Sequence, residues 1–331
     1  MAFTIGLDLG GNTINLTGYD GERFLVQEMV EIPARVTEGP DACLGQLEAA
    51  FEKALDYLGW TRDQVGAVGL DTPGPATATG VLCHEGPANF GNPSWGGFDI
   101  RGALEERLGL PVAYLNDANA AALYAHWSVF GPDADKTSVS LIIGTGLGGG
   151  IVAGGRMVVG RVGFAAELGH AKLPCDWHPE LSIPALCNCG QKSDLESIAS
   201  LTGIEKNLLP FFLPRYPDHP LHGLPAKEAA KKVRGLAEEG DPMALEIFRT
   251  QTYAIAAHLE LMINALDPDA VFIGGGGVEP SEAFRARYLD GIQSAIHYRE
   301  DQRGLPIHIV PDGDRAGARG SALYALQTLR L

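Results

Sequence analysis

Apolar residues alternate along 3–9 and again along 14–19, the period of a strand and its hairpin partner, and 24–32 reads as a third strand. From Pro40 the period changes: Cys43, Leu44, Leu47, Ala50, Phe51, Ala54, Leu55 and Leu58 recur at helical spacing. The run from Val65 to Leu70 predicts a buried strand entering a turn at Asp71-Thr72-Pro73-Gly74-Pro75. Residues 83–97 are rich in Gly, Pro and Asn and read as a loop. A short helix over 100–108, a strand over 112–115 and an Ala-rich helix over 118–127 follow. Residues 138–143 and 150–158 predict a second hairpin, and 172–190 show no clear period. Helices are expected to begin at Ser193 and to cover 224–239, 241–266, 280–297 and 316–329, with strands at 271–273 and 307–310.

Strand, glycine turn and strand therefore occur twice, before residue 20 and again after 138. This predicts two related α/β domains around a central cleft, residues 1–117 and 118–315, with the last helix (316–331) returning to the first domain.

Three glycine turns follow apolar strands: Gly10-Gly11-Asn12-Thr13 after Leu7-Asp8-Leu9, Gly144-Thr145-Gly146 through Gly150, and Gly274 through Gly277. Without a Cβ, such backbone approaches phosphate oxygens closely. The middle turn has five glycines in seven residues yet no Gly-Lys-Ser/Thr, so it is not a P-loop. Asp8, at a strand end, suits a Mg²⁺ beside phosphates. Taken singly, the first turn is better explained as an ordinary hairpin turn, and the third is equally explained as a strand-to-helix turn.

Asp117 ends a strand, where open α/β sheets place ligands. A carboxylate there can accept a proton from an attacking hydroxyl. The plainer reading makes it the N-cap of helix 118–127. His170 with Cys187 and Cys189 offers three zinc ligands, and either Cys175 or Asp194 a fourth.

The chain has 331 residues, enough for two domains, and a formal net charge of −16, which disfavours a nucleic-acid partner. No apolar run is long enough to span a bilayer, and the N-terminus enters a strand directly with no signal-peptide pattern. Five irregularly spaced cysteines favour a reducing, cytoplasmic setting over a disulfide framework.

In this order and over essentially the whole chain, Asp8-Leu-Gly-Gly11, Asn116-Asp117-Ala-Asn-Ala120, Gly144-Thr-Gly-Leu-Gly-Gly-Gly150, Glu167-Leu-Gly-His170 and Cys187-Asn-Cys-Gly190 through Glu196 resemble the ROK family (repressor, open reading frame, kinase). That resemblance implies two actin-like ATPase (ribonuclease H-like) domains and an ATP- and Mg²⁺-dependent, glucokinase-like hexose kinase acting at the 6-hydroxyl. Under it Asp117 is the base, and Asn89, Asn116, Glu167, His170 and Glu196 bind sugar hydroxyls. Asp8, Gly10, Gly11, Thr13, Gly144, Thr145 and Gly146 face the phosphates and Mg²⁺, and Gly275 and Gly276 the adenosine. His170, Cys187, Cys189 and Asp194 form the zinc set, and the assembly is a homodimer or homotetramer.

The chain departs from the family pattern in three places. Asn12 stands where Thr is usual, with Thr at 13. Asp194 replaces the third cysteine, so that Zn²⁺ gains an Asp ligand, recruits Cys175 or is absent. The segments 172–186 and 89–97 are unusual and border the sugar. An amino-sugar, N-acetylhexosamine, fructose or cyclitol kinase is the alternative. A sugar-responsive repressor is remote, since the first glycine turn begins at residue 10.

Overall fold

Two five-stranded sheets carry the fold, in the orders β3-β2-β1-β4-β5 and β10-β9-β6-β7-β8. The strands are β1 (Phe3–Leu9), β2 (Thr13–Tyr19), β3 (Glu31–Pro33), β4 (Val65–Thr72), β5 (Val112–Asn116), β6 (Ser138–Ile143), β7 (Leu147–Ala153), β8 (Arg156–Met157), β9 (Ala270–Gly274) and β10 (Ile307–Ile309). The helices are α1 (Pro40–Leu58), α2 (Ile100–Leu108), α3 (Asp117–Phe130), α4 (Glu196–Ala199), α5 (Leu201–Gly203), α6 (Leu209–Phe212), α7 (Ala226–Glu238), α8 (Pro242–Leu266), α9 (Glu282–Ala295) and α10 (Ala316–Leu329). This computed structural model describes residues 3–84, 90–132, 134–277 and 281–329.

The two sheets share one plan. In the first, β1 runs antiparallel to β2 and parallel to β4, which runs parallel to β5. In the second, β6 runs parallel to β9, and β9 to β10. The fold class is the expected one: paired α/β units of like topology. The first compact unit comprises Met1–Asp135, Gly150–Ala166 and Val310–Leu331; the second comprises Lys136–Gly149 and Glu167–Ile309. This division differs from the one expected after residue 117, because α3 packs on α10. A Cβ on Gly320 would lie 1.8 Å from the Ala120 carbonyl oxygen. Gly150 likewise closes on Ala122, where an added Cβ would stand 2.3 Å from the alanine methyl.

Local sequence explains most element ends. Pro40 opens α1 and Gly59, in the left-handed region, closes it. Asp241 caps α8 by accepting from the Ala244 N–H, with Pro242 in the first turn. Three expectations shift. Of 24–32 only 31–32 is strand, within β3. The second hairpin's return strand begins at Leu147, not 150. The helix expected from Ser193 is broken into α4, α5, a π-helical turn at Ile204–Leu208 and α6.

In the first unit the core gathers Ile5, Leu7, Leu47, Phe51, Leu70, Trp95 and Leu104, all fully buried. Helix α10 lies on β1 and β4 at glycines of the sheet. Added Cβ atoms on Gly6 and Gly69 would each stand 1.9 Å from a carbonyl oxygen of α10.

In the second unit α8 buries His258 completely, with no hydrogen-bond partner at either ring nitrogen among the described residues. Burial pushes its pKa down to about 4. The folded state therefore binds a proton less readily than the unfolded chain, whose histidine titrates near 6.5. Stability is fully present above pH ~6.5 and is lost as pH falls toward about 4. His258→Leu is expected to reduce the loss between pH 7.5 and pH 5 by about 2 kcal/mol, read by urea unfolding at both pH values. An unchanged pH dependence in the variant would refute the assignment.

Candidate functional site

In the first unit the carboxyl ends of three neighbouring parallel strands each deliver an acid. Register places Asp8 of β1 opposite Asp71 of β4, and Thr72 opposite Asn116 of β5, so that Asp117 follows directly. Asp71 is completely buried. It is a strand residue, since β4 runs to Thr72, and not the turn residue expected. Its Oδ2 accepts from the Ser321 hydroxyl at 2.5 Å, and its Oδ1 has no partner among the described residues. Gly317 leaves room for the pair: a Cβ there would come within 2.8 Å of Asp8 Oδ2 and 3.3 Å of Asp71 Oδ1.

Burial, then the charge of Asp8, holds Asp71 well above the usual carboxylate range. Asp8 is also raised, chiefly by burial, with hydrogen bonds from Asp71 and Asn15 opposing. Neither acid has a basic partner within salt-bridge distance among the described residues. A buried pair with one bare oxygen and no cation suits a divalent ion beside Asp8.

Asp117 is exposed and is the first residue of α3. The helix cap falls to Asn116, whose Oδ1 accepts from the Asn119 N–H at 3.1 Å. This corrects the plainer reading of Asp117 as the cap. Asp117 Oδ1 accepts from the Ala118 N–H at 2.7 Å, which aligns the carboxylate with the helix N-terminus. The first glycine turn is closed by the Gly10 N–H on the Thr13 carbonyl at 2.9 Å, with Gly11 at its bend. The Thr13 hydroxyl donates to Glu31 at 3.0 Å. Asn89 lies outside the described residues.

In the second unit Glu167, His170 and Glu196 come together. Burial raises the Glu167 carboxyl; the nearby His170 opposes this and the Glu196 charge adds to it. Glu196 Oε2 accepts from the Leu147 N–H at 2.9 Å, so the carboxylate closes the second glycine turn. A Cβ on Gly146 would lie 2.6 Å from that oxygen, so a side chain there would push the Glu196 carboxylate off the turn. Thr202 holds the turn from the other side, with N–H and hydroxyl both on the Thr145 carbonyl. The other Glu196 oxygen accepts from the Cys187 thiol at 3.3 Å.

Ligand atoms of His170, Cys187, Cys189 and Asp194 lie within 4.8 Å of one another. Cys175 is exposed and not part of this group. Around a tetrahedral zinc with ordinary bond lengths, donor atoms stand about 3.3–3.8 Å apart. His170 Nδ1 to Asp194 Oδ2 is 3.3 Å, Cys189 Sγ to the same oxygen 3.6 Å, and Cys187 Sγ to His170 Nδ1 3.8 Å. These three spacings are those of zinc ligands. Asp194 presents one oxygen only, because its Oδ1 accepts from the Ser197 N–H at 2.9 Å and so tethers the start of α4. Two non-glycine residues in the left-handed region, Ala166 and Ser193, immediately precede Glu167 and Asp194. Such strain costs on the order of 1 kcal/mol each and persists where the surroundings fix the next side chain.

The third turn packs on the end of β6. Gly275 has φ +86°, and a Cβ there would stand 2.5 Å from the Ile143 carbonyl oxygen. Gly144, Thr145 and Gly276 line one cavity of about 470 Å³, walled by Ile143, Leu201, Ile204 and Phe248 and by Lys231, Arg234 and Gln251. Its polar and charged walls from α7 and α8 were not foreseen. The only signal was a strongly amphipathic helix over 224–239, whose pattern gives a buried face but not what that face meets.

The model of the ROK family matches residues 4–328. A glucokinase of Halalkalibacterium halodurans is 33% identical over 278 residues, 82% of this chain and 79% of that protein. An N-acetyl-D-glucosamine kinase of Pectobacterium atrosepticum is 33% identical over 339 residues, 97% of this chain and 98% of its own length. Among solved structures, a ROK family glucokinase from Streptomyces griseus, in complex with glucose and AMPPNP, aligns with a TM-score of 0.72. It is 27% identical and covers 98% of this chain and 100% of its own.

Proposed function

Because the chain belongs to the ROK family, we propose that it is an ATP-dependent sugar kinase that phosphorylates glucose or a close relative at the 6-hydroxyl. The observation that carries the chemistry is Asp117: an exposed carboxylate at the head of α3, with the capping duty taken by Asn116. Asp117 takes the proton of the sugar hydroxyl as that oxygen bonds to the γ-phosphorus, and the bond to the leaving ADP breaks. Asn116, Glu167, His170 and Glu196 hold the remaining hydroxyls. Amide and carboxylate oxygens suit this task, since each can accept more than one hydroxyl hydrogen.

Gly10, Gly11, Thr13, Gly144, Thr145 and Gly146 serve the phosphates, and Gly275 and Gly276 the nucleoside. The cavity of about 470 Å³ is within the usual range for a small-ligand site. Asp8 holds Mg²⁺, which when bound neutralises phosphate charge. Asp71 stands buried behind it, pushed toward its protonated form by burial and the Asp8 charge.

His170, Cys187, Cys189 and Asp194 hold Zn²⁺, whose contribution is to fix the cysteine loop and the start of α4. Elemental analysis of the purified chain is expected to find about one zinc per chain, reduced several-fold in Asp194→Ala. Metal content equal in both proteins would remove Asp194 from the set.

A second sugar class has an observation in its favour: the N-acetyl-D-glucosamine kinase aligns over nearly the whole chain, the glucokinase over 82% of it. A coupled ADP-release assay with ATP, Mg²⁺ and a panel of hexoses, amino sugars, N-acetylhexosamines and cyclitols separates the two. Glucose is expected to give the highest kcat/KM. Preference for N-acetylglucosamine would keep the mechanism and change the substrate, and no turnover on any member would refute the proposal.

A further inference from the structure

The cavity beside the second and third glycine turns has an unusual charge balance for this chain. The protein carries a formal net charge of −16. Yet among the described residues the lining of this cavity holds no carboxylate, and its only charged members are Lys231 and Arg234 of α7. The two cations sit three residues apart, on neighbouring turns of one helix face. They do different things. The Arg234 guanidinium donates to the Gly276 carbonyl oxygen and so holds the third glycine turn against α7. That cation is used by the protein itself. Lys231 is exposed and its ammonium has no hydrogen bond or ion pair with any described residue, whereas its neighbour Lys232 pairs with Glu228 at 3.5 Å.

The walls divide in the same way. Ile143, Ile204 and Phe248 are apolar and suit the flat face of a base, and Gly144 and Thr145 offer backbone to oxyanions. An acidic protein repels a polyanion, so a cavity that admits one needs local positive charge.

We infer that Lys231 is the cation that this chain supplies to the phosphate chain of the bound nucleotide, with Arg234 as a positioning residue for the turn. The inference rests on the reading of the cavity as the nucleotide site. Lys231 then raises affinity for ADP and ATP and leaves adenosine unaffected, which makes α7 a determinant of donor binding. A lysine suits this role better than a second arginine fixed to carbonyl oxygen, since its flexible stem can follow the phosphates.

The test uses the full chain and the variants Lys231→Gln and Lys231→Arg. Calorimetry measures the Kd of ATP and ADP, and competition against a fluorescent ADP analogue measures adenosine. Lys231→Gln is expected to weaken ATP and ADP by about tenfold, the effect of losing one charge-assisted contact on a partly solvated cation. Adenosine and the sugar should bind within about twofold of wild type, KM for ATP should rise with kcat little changed, and the salt dependence of ATP binding should become shallower. Lys231→Arg should restore most of the affinity. Wild-type ATP affinity in Lys231→Gln, with wild type itself binding ATP, would overturn the inference alone; so would an equal loss for adenosine. If the wild-type chain binds no nucleotide, the reading of the cavity fails together with the inference.

Discussion

Replacing Asp117 with alanine is expected to lower kcat by about 10²–10⁴-fold while sugar affinity stays within a few-fold. The expectation has a structural basis beyond the motif. An aspartate at a helix start often serves as the cap, and its loss then costs about 1 kcal/mol of stability and confuses folding with catalysis. Here Asn116 accepts from the Asn119 N–H, so the cap survives the substitution. Asp117 is exposed, so truncation leaves no cavity. Its Oδ1 contact with the Ala118 N–H is with a helix-end donor that water can satisfy. Asp117→Ala should therefore unfold at nearly the wild-type temperature. The decisive measurements are single-turnover phosphoryl transfer and sugar Kd on the same preparation. A kcat within threefold of wild type would exclude Asp117 as the base. Asn116→Ala should behave differently, losing the cap and, on the proposed function, a sugar ligand as well.

Gly320→Ala is expected to be the most destabilising single methyl in the first unit. The added carbon would stand 1.8 Å from the Ala120 carbonyl oxygen and 2.4 Å from its carbon, both backbone atoms of α3. Backbone cannot rotate away as a side chain does, so α10 must lift from α3. Its contacts through Gly6 and Gly69 leave no room to slide along the sheet. Overpacking of this kind costs about 3–5 kcal/mol, or roughly 10–15 °C in Tm. Helix α10 also carries Gly317 and Ser321 against the Asp8–Asp71 pair, so activity should fall with stability. Gly235→Ala in α7 is the control. Nothing lies within 4 Å of its added Cβ, and the change should stabilise by about 0.5–1 kcal/mol. Differential scanning calorimetry compares them, and a Tm for Gly320→Ala within 2 °C of wild type would show that α10 can move without cost.

The parts of this molecule legible in one dimension share a property: their causes are local. Alternation gave β1 and β2, the 3.6 period gave α1 and α8, and glycine after an apolar strand marked all three turns. The place of Asp117 at the end of β5 was legible for the same reason, because a strand end is visible where apolar residues stop. The errors arose where local pattern was ambiguous. Residues 24–30 carry apolar side chains into the core and meet β2 only through an isolated Tyr19–Phe24 bridge and single backbone hydrogen bonds, and apolar content alone does not reveal so broken a pairing. The stretch after Ser193 has helical spacing, yet it must present Asp194 and Glu196 to other segments, and Pro210 removes a donor, so one helix becomes several pieces.

By itself, the sequence determined the two-unit α/β plan, the glycine turns and the place of Asp117 at a strand end, because period, punctuation and strand ends are written in neighbouring residues. Tertiary structure decided three other things. The register of two parallel strands made Asp71, a residue that reads as part of a turn, the buried partner of Asp8. Approach of distant segments placed Asp194, and not Cys175, beside His170, Cys187 and Cys189. The packing of α7 against the third glycine turn committed Arg234 and left Lys231 facing the cavity. Each depends on distances between residues far apart in the chain, which no local period encodes.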